Sequence, residues 1–219
     1  MGFVDERKPQ KSPSAPCKRP YDLSNRLQLS NGKRTAILLS ARKLLESNGF
    51  LQLTMESLAK ESGVTRQTIH NLFGTKSEVL ETLFDQMAMA GGMERMREVM
   101  QQTDPEVMLL AFVDVFTGFW TRDRMLIRRI HGIAAIDPEF GEVVAARNKR
   151  RQMAATRIID QLGKRKQDSG QSEQEASQQV ATLYSLTSFE FFDALAESTG
   201  DAAAAAALVS SIAKKLLLA

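Results

Sequence analysis

Apolar positions recur along this chain at helical spacing, and the two-residue alternation of a half-buried strand is scarce. Ala, Leu, Glu, Lys, Gln and Arg, the residues that keep most side-chain freedom in a helix, dominate after the first thirty positions. Start signals divide the pattern. Thr75 to Glu78 reads as a capping box opening a helix through Val79, Leu80, Leu83, Phe84 and Met87. Asp104-Pro105-Glu106 and Asp137-Pro138-Glu139 each set an N-cap aspartate before a proline at the first helical position and an acid in the first turn. Ser172 with Glu175 forms a second capping box, and Gly200-Asp201 ends one helix and opens another. About nine helices are expected. The implied architecture is all-α: a three-helix head, a fourth helix leaving it, and a larger helical body.

The densest signal is TMESLAKESGVTRQTIHNLFGTK, from Thr54 to Lys76. Two short amphipathic helices flank Gly63, where a tight turn favours positive φ. Thr54 and Thr65 are placed to cap the two helices. In the second, Ile69, Leu72 and Phe73 share one face, and Arg66, Gln67, His70 and Asn71 share the other. That is the sequence form of a helix-turn-helix, whose second helix enters the major groove of DNA. The preceding helix is expected from Gly32 to Asn48, with Ile37, Ala41, Leu44 and Leu45 inward and Lys33 and Arg34 at its start, toward the DNA backbone.

Arg34, Ile37, Ala41, Leu44-Leu45, Gly49-Phe50, Thr54, Leu58-Ala59, Ser62-Gly63-Val64-Thr65, Thr68-Ile69-His70, Phe73-Gly74, Lys76 and Leu80 together resemble the DNA-binding domain of the TetR family of bacterial transcriptional regulators. The resemblance spans roughly a fifth of the chain and four short helical segments. It implies base contacts from Arg66, Gln67 and Asn71, since arginine binds guanine and glutamine or asparagine binds adenine in bidentate fashion. Phosphate contacts are expected from Lys33, Arg34, Thr54, Thr65, Thr68, His70 and Lys76, with Thr54 and Thr65 leaving helix N-termini open to an anion and the roles of His70 and Lys76 implied by the resemblance. At His70 the family often has a tyrosine, so a contact there would depend on pH. Positive charge at Lys76 is not explained by the helix dipole, which favours acids at that end, and a phosphate partner would explain it.

The resemblance further implies a body with a ligand cavity and a dimer interface. Phe112, Phe116, Trp120, Met125, His131 and Phe189 are the expected cavity residues, although such a stripe more commonly serves as core. Arg128, Arg129, Arg147, Lys149, Arg150 and Arg151 read as solvated helix faces. Helices from Glu175 to Glu197 and from Asp201 to Leu218 carry Val180, Leu183, Leu186, Phe189, Leu195, Leu208, Ile212 and Leu216, enough apolar surface for a four-helix interface between two copies. A dimer is what a palindromic operator requires.

Composition narrows this little. Net charge is +3 in 219 residues, which permits nucleic-acid binding without demanding it. The single cysteine, Cys17, leaves no intramolecular disulfide or multi-cysteine zinc site, and fits a reducing cytoplasm. There is no membrane-length apolar run and no secretory h-region. No nucleophile motif, phosphate loop or metal cluster stands out, so the chain is read as a non-enzyme without metal or cofactor. Residues 1–30 hold Pro9, Pro13, Pro16 and Pro20 amid Ser, Lys and Arg, and read as a disordered basic arm that is either a solubilising tail or a DNA-seeking extension. The expected layout is arm 1–30, DNA-binding domain 31–80 and ligand-binding and dimerisation domain 81–219. The expected partners are a double-stranded DNA operator, a second copy of the chain and a small-molecule effector, with release by the effector; ligand-independent or architectural DNA binding is the alternative.

Overall fold

The computed structural model describes residues 23–48, 53–165 and 172–218. Residues 1–22 of the expected arm, and the Gly49-Phe50 pair, lie outside them. Among the described residues there are eleven α-helices and no strand, so the all-α expectation holds while the helix count rises.

Helix α1 (Leu23–Asn48) starts well before Gly32. Residues 23–30 are therefore helical and not part of an irregular arm. No proline follows Pro20 to interrupt them, and Leu27 and Leu29 on this extension face solvent. Helices α2 (Met55–Ser62) and α3 (Arg66–Phe73) complete the head. Ile37, Ala41 and Leu45 of α1 meet Leu53, Leu58 and Ile69 in a core with no measurable exposure beyond 2%. Helix α4 (Lys76–Ala90) leaves the head with Val79, Leu80, Leu83, Phe84 and Met87 buried.

After a 3₁₀ turn at Met93–Arg95 and the one-turn α5 (Met96–Val99) comes α6 (Pro105–Arg122). Its buried residues lie nearly all round it, the mark of a central helix, and α8 and α11 pack against it. Helices α7 (Arg124–Ala134), α8 (Pro138–Arg165), α9 (Glu173–Leu186), α10 (Phe189–Thr199) and α11 (Ala202–Leu217) surround it.

The helix expected from Glu175 to Glu197 is broken, and the chain also breaks between α6 and α7. Between α6 and α7, Asp123 leaves the helical region at φ −127°, ψ 32°, with its carboxylate held by Arg42 of α1. Between α9 and α10 the chain stops at Thr187 and restarts at Ser188, whose hydroxyl accepts the Phe191 amide. The carbonyl freed at Thr187 is buried and accepts the indole N–H of Trp120 at 3.1 Å, so a tertiary partner replaces the lost helical one. Leu183, Leu186 and Phe189 turn into the protomer's own core, leaving Leu208 and Leu216 as the exposed leucines of the expected interface set.

Candidate functional site

The helix-turn-helix is built by local capping. Thr54 accepts the Ser57 amide and Ser57 returns the bond to the Thr54 amide, closing a capping box on α2. Gly63 ends α2 at φ 67°, which lets the Val64 amide reach back to the Ala59 carbonyl at 3.2 Å. Thr65 caps α3 through the Thr68 amide, and Thr75 with Glu78 boxes the start of α4. A side chain at Gly63 or Gly74 would be strained, since both hold positive φ.

These turns set α3 with Ile69 and Phe73 inward and Arg66, Gln67, His70 and Asn71 exposed on one surface. The Gln67 amide donates to Asn71 Oδ1 at 2.8 Å, and Arg66 pairs with Glu56 of α2 at 3.0 Å. His70 Nδ1 lies 3.0 Å from the Gly74 carbonyl. A carbonyl only accepts, so Nδ1 carries the proton and Nε2 is a lone pair in the neutral ring. His70 can therefore donate to a phosphate from Nε2 only after taking up a second proton.

Two expected phosphate contacts are occupied within the protein. Arg34 is turned inward, donating to the Leu72 carbonyl at 2.6 Å with its guanidinium 4.5 Å from the Phe73 ring centre. It fixes the C-terminal end of α3 against α1, a role the charge pattern alone did not reveal. Lys76 pairs with Asp137, the residue preceding α8, at 3.2 Å. Its charge thus has a partner within the protein, which a DNA phosphate would have to displace. Lys33, Thr54 and Thr65 are exposed, and Thr68 is half-buried with its hydroxyl 2.9 Å from that of Thr65.

The body holds an apolar cavity of about 310 Å³. Four of the six expected residues line it: Phe112, Phe116, Trp120 and His131. Phe189 lies one layer behind, packed edge-on against Trp120 at 5.5 Å and tilted against His131 at 4.8 Å. Met125 does not belong: it sits on the outer face of α7, 53% exposed. Sequence reasoning missed Phe84 of α4 and the α8 face of Val144, Arg147 and Arg151. The signal existed. Stepping back by helical spacing from Ile159 and Ile158 to Ala155, Arg151, Arg147 and Val144 gives one inward stripe with two arginines in it.

His131 Nδ1 is 2.9 Å from Glu190 Oε1. This hydrogen bond holds the Glu190 carboxyl down to about 2 against its ordinary 4.5. Arg147 pairs with Asp85 and lies over the Phe84 ring, joining α8 to α4 at the cavity mouth. The same two helices meet again at their starts, where Lys76 pairs with Asp137 and the Thr75 hydroxyl donates to Glu139 at 3.1 Å. Among the described residues no cluster of three or more His, Cys, Asp or Glu could hold a metal, and no helix is long and apolar enough to cross a membrane.

Comparison with known proteins agrees with this geometry. Residues 37–83, from the core of α1 to Leu83, match the family described as bacterial regulatory proteins, tetR family. The HTH-type transcriptional regulator EthR of Mycobacterium tuberculosis is 27% identical over 132 residues, covering 55% of this chain and 61% of that protein. The chain thus matches about three fifths of the length of that curated relative. A TetR-family regulator structure from Syntrophomonas wolfei superposes with a TM-score of 0.68 at 14% identity, over 86% of this chain and 96% of that one. NalD, a secondary repressor of a multidrug efflux pump in Pseudomonas aeruginosa, gives 0.61 at 18% identity over 85% and 96%. At these identities the structural likeness establishes the fold. The capped helix-turn-helix thus lies within the segment that matches the tetR family of bacterial regulatory proteins, and the described fold is shared with solved regulators of that family.

Proposed function

We propose that this protein is a sequence-specific, dimeric DNA-binding transcriptional repressor, released from a palindromic operator by a small apolar or amphipathic ligand. The observation that carries it is the exposed face of α3, where Arg66, Gln67, His70 and Asn71 stand clear of a fully packed head. Arg66, Gln67 and Asn71 are the base-reading residues, and Lys33, Thr54, Thr65 and Thr68 the backbone contacts. His70 joins the backbone contacts when protonated. The division of labour is a DNA-binding head over 31–80 and a ligand-binding and dimerisation body over 81–219. Helix α11, with Leu208 and Leu216 exposed, is the favoured element of the dimer interface.

The cavity supplies the switch. Phe84, Asp85 and Ala88 of α4 line it, and the first residue of α4, Lys76, directly follows the Thr75 cap at the end of the recognition segment. A ligand that favours one position of α4 biases the spacing of two heads by its differential affinity for the two arrangements. The test is a mobility-shift assay on DNA upstream of this protein's gene and its neighbours, at two salt concentrations, beside random DNA. A shift confined to one fragment and surviving higher salt is expected. Equal, salt-fragile shifts on every fragment would favour an architectural binder instead.

A further inference from the structure

Arg151 is 6% exposed, yet among the described residues no carboxylate forms an ion pair with it. Its partners are neutral. One terminal nitrogen donates to the Tyr184 carbonyl at 2.9 Å and reaches the Thr187 hydroxyl at 3.5 Å, and the other donates to Asn148 Oδ1 at 3.2 Å. The guanidinium also lies 4.2 Å from the Tyr184 ring centre and 5.8 Å from that of Phe116. Glu190, whose field reaches Arg151, is bonded to His131 and not to the arginine. A buried charge is costly unless paired, and arginine does not shed its proton in proteins. Cation–π contacts of this kind offset only part of that cost.

Arg151 is a wall of the cavity. Arg147 and Arg150 line it too, against one carboxylate, Asp85, so its arginines and carboxylate sum to three positive and one negative. Phe84, Phe112, Phe116, Phe119 and Trp120 supply the rest of the wall as five aromatic rings. A cavity of about 310 Å³ lies at the small end of the roughly 300–1,000 Å³ range of small-molecule pockets.

We infer that the cavity takes an amphipathic monocarboxylate, with its carboxylate on Arg151 and an aromatic or short alkyl tail among the phenylalanines. This rests on the proposal that the cavity is an effector site, and it adds the charge, the size and the residue that reads the charge. The buried guanidinium receives its missing counterion from the ligand. Its flat fork suits a carboxylate, and the surrounding rings accept the tail edge-on or offset.

Trp120 is the only tryptophan of the chain and stands in the cavity wall, so its fluorescence reports occupancy without DNA. The intact protein is titrated at neutral pH with 4-phenylbutyrate, 4-phenylbutan-1-ol and 4-phenylbutylamine, which share a tail and differ in charge. The acid is expected to bind at least tenfold more tightly than the alcohol, and the amine most weakly. Arg151→Met is expected to erase the preference for acid over alcohol while leaving the alcohol's affinity near that of the native protein. Should that variant fail to fold, as seen by circular dichroism, the comparison among the three compounds on the native protein decides alone. Equal binding of acid and alcohol, a preference for the amine, or no response to any of the three overturns the inference. An acid-selective response that leaves the operator shift unchanged would uphold this inference and remove the effector role.

Discussion

The head and the body handle polar side chains in opposite ways. In the head, short capped helices push Arg66, Gln67, His70 and Asn71 outward from a dry core. In the body, Arg151, the Trp120 indole and Thr187 are drawn inward and satisfy one another around a cavity. On the proposed function, the difference follows from partner size. A duplex presents its groups across a surface, so its reader must be exposed; a small molecule must be surrounded to be recognised. The head's site is therefore made by adjacent residues, and the body's by residues brought together from α4, α6, α7 and α8.

The largest effect expected from breaking this contrast is in the head core. Leu58 and Ile69 are fully buried, and either replaced by alanine should cost about 2–5 kcal/mol. If the two regions are separable, urea unfolding will show an early transition, DNA binding will vanish, and Trp120 will still respond to ligand. One cooperative transition that abolishes both would make head and body a single unit. In the body, Trp120→Phe leaves the Thr187 carbonyl buried without its donor and should cost about 1–3 kcal/mol, measured by urea unfolding followed by circular dichroism.

On the DNA face, Gln67→Ala should cost about 1–3 kcal/mol on operator DNA and relax specificity at one position per half-site. Equal losses on random DNA would remove Gln67 from base reading. Lys76 tests the join between the regions. Asp137→Asn should weaken its hold within the protein and tighten binding to all sequences, whereas Lys76→Ala should weaken all alike and lower the salt slope by about one. If Asp137→Asn weakens binding as much as Lys76→Ala does, the pair is a structural tie and the lysine never reaches a phosphate.

The smallest effect concerns Glu190, because its carboxylate is largely exposed. Its folded value of about 2 lies below its ordinary 4.5, so its bond to His131 stabilises the protein above that ordinary value. The contribution is lost as pH falls from about 4.5 to about 2. The stability gap between the native protein and His131→Gln should narrow across this window in urea unfolding, and a gap that stays constant would mean the pair is not ionic.

The head was legible because its determinants are local: Thr54, Gly63, Thr65 and the Thr75–Glu78 box act within a few residues of themselves, and each does in the structure what its spacing implied. Arg34 and Lys76 were harder, since an exposed and an inward arginine look alike in sequence and Asp137 is distant along the chain. In the body, the breaks at Asp123 and Thr187 depend on Arg42 and Trp120 reaching across the fold, which no local pattern records. Met125 fell outside the cavity because the break at Asp123 turns α7 onto a different face from α6.

On the proposed reading, the bond between Gln67 and Asn71 gives α3 an internal rival to DNA. Each amide already has a partner before any operator arrives, so a base edge gains only the excess of its own hydrogen bonds over the one that must open. A base offering a single weak acceptor leaves the two amides closed on each other, and one offering a donor and an acceptor together draws them apart. If α3 reads bases as proposed, discrimination is thereby sharpened by an interaction that the wrong sequence cannot replace.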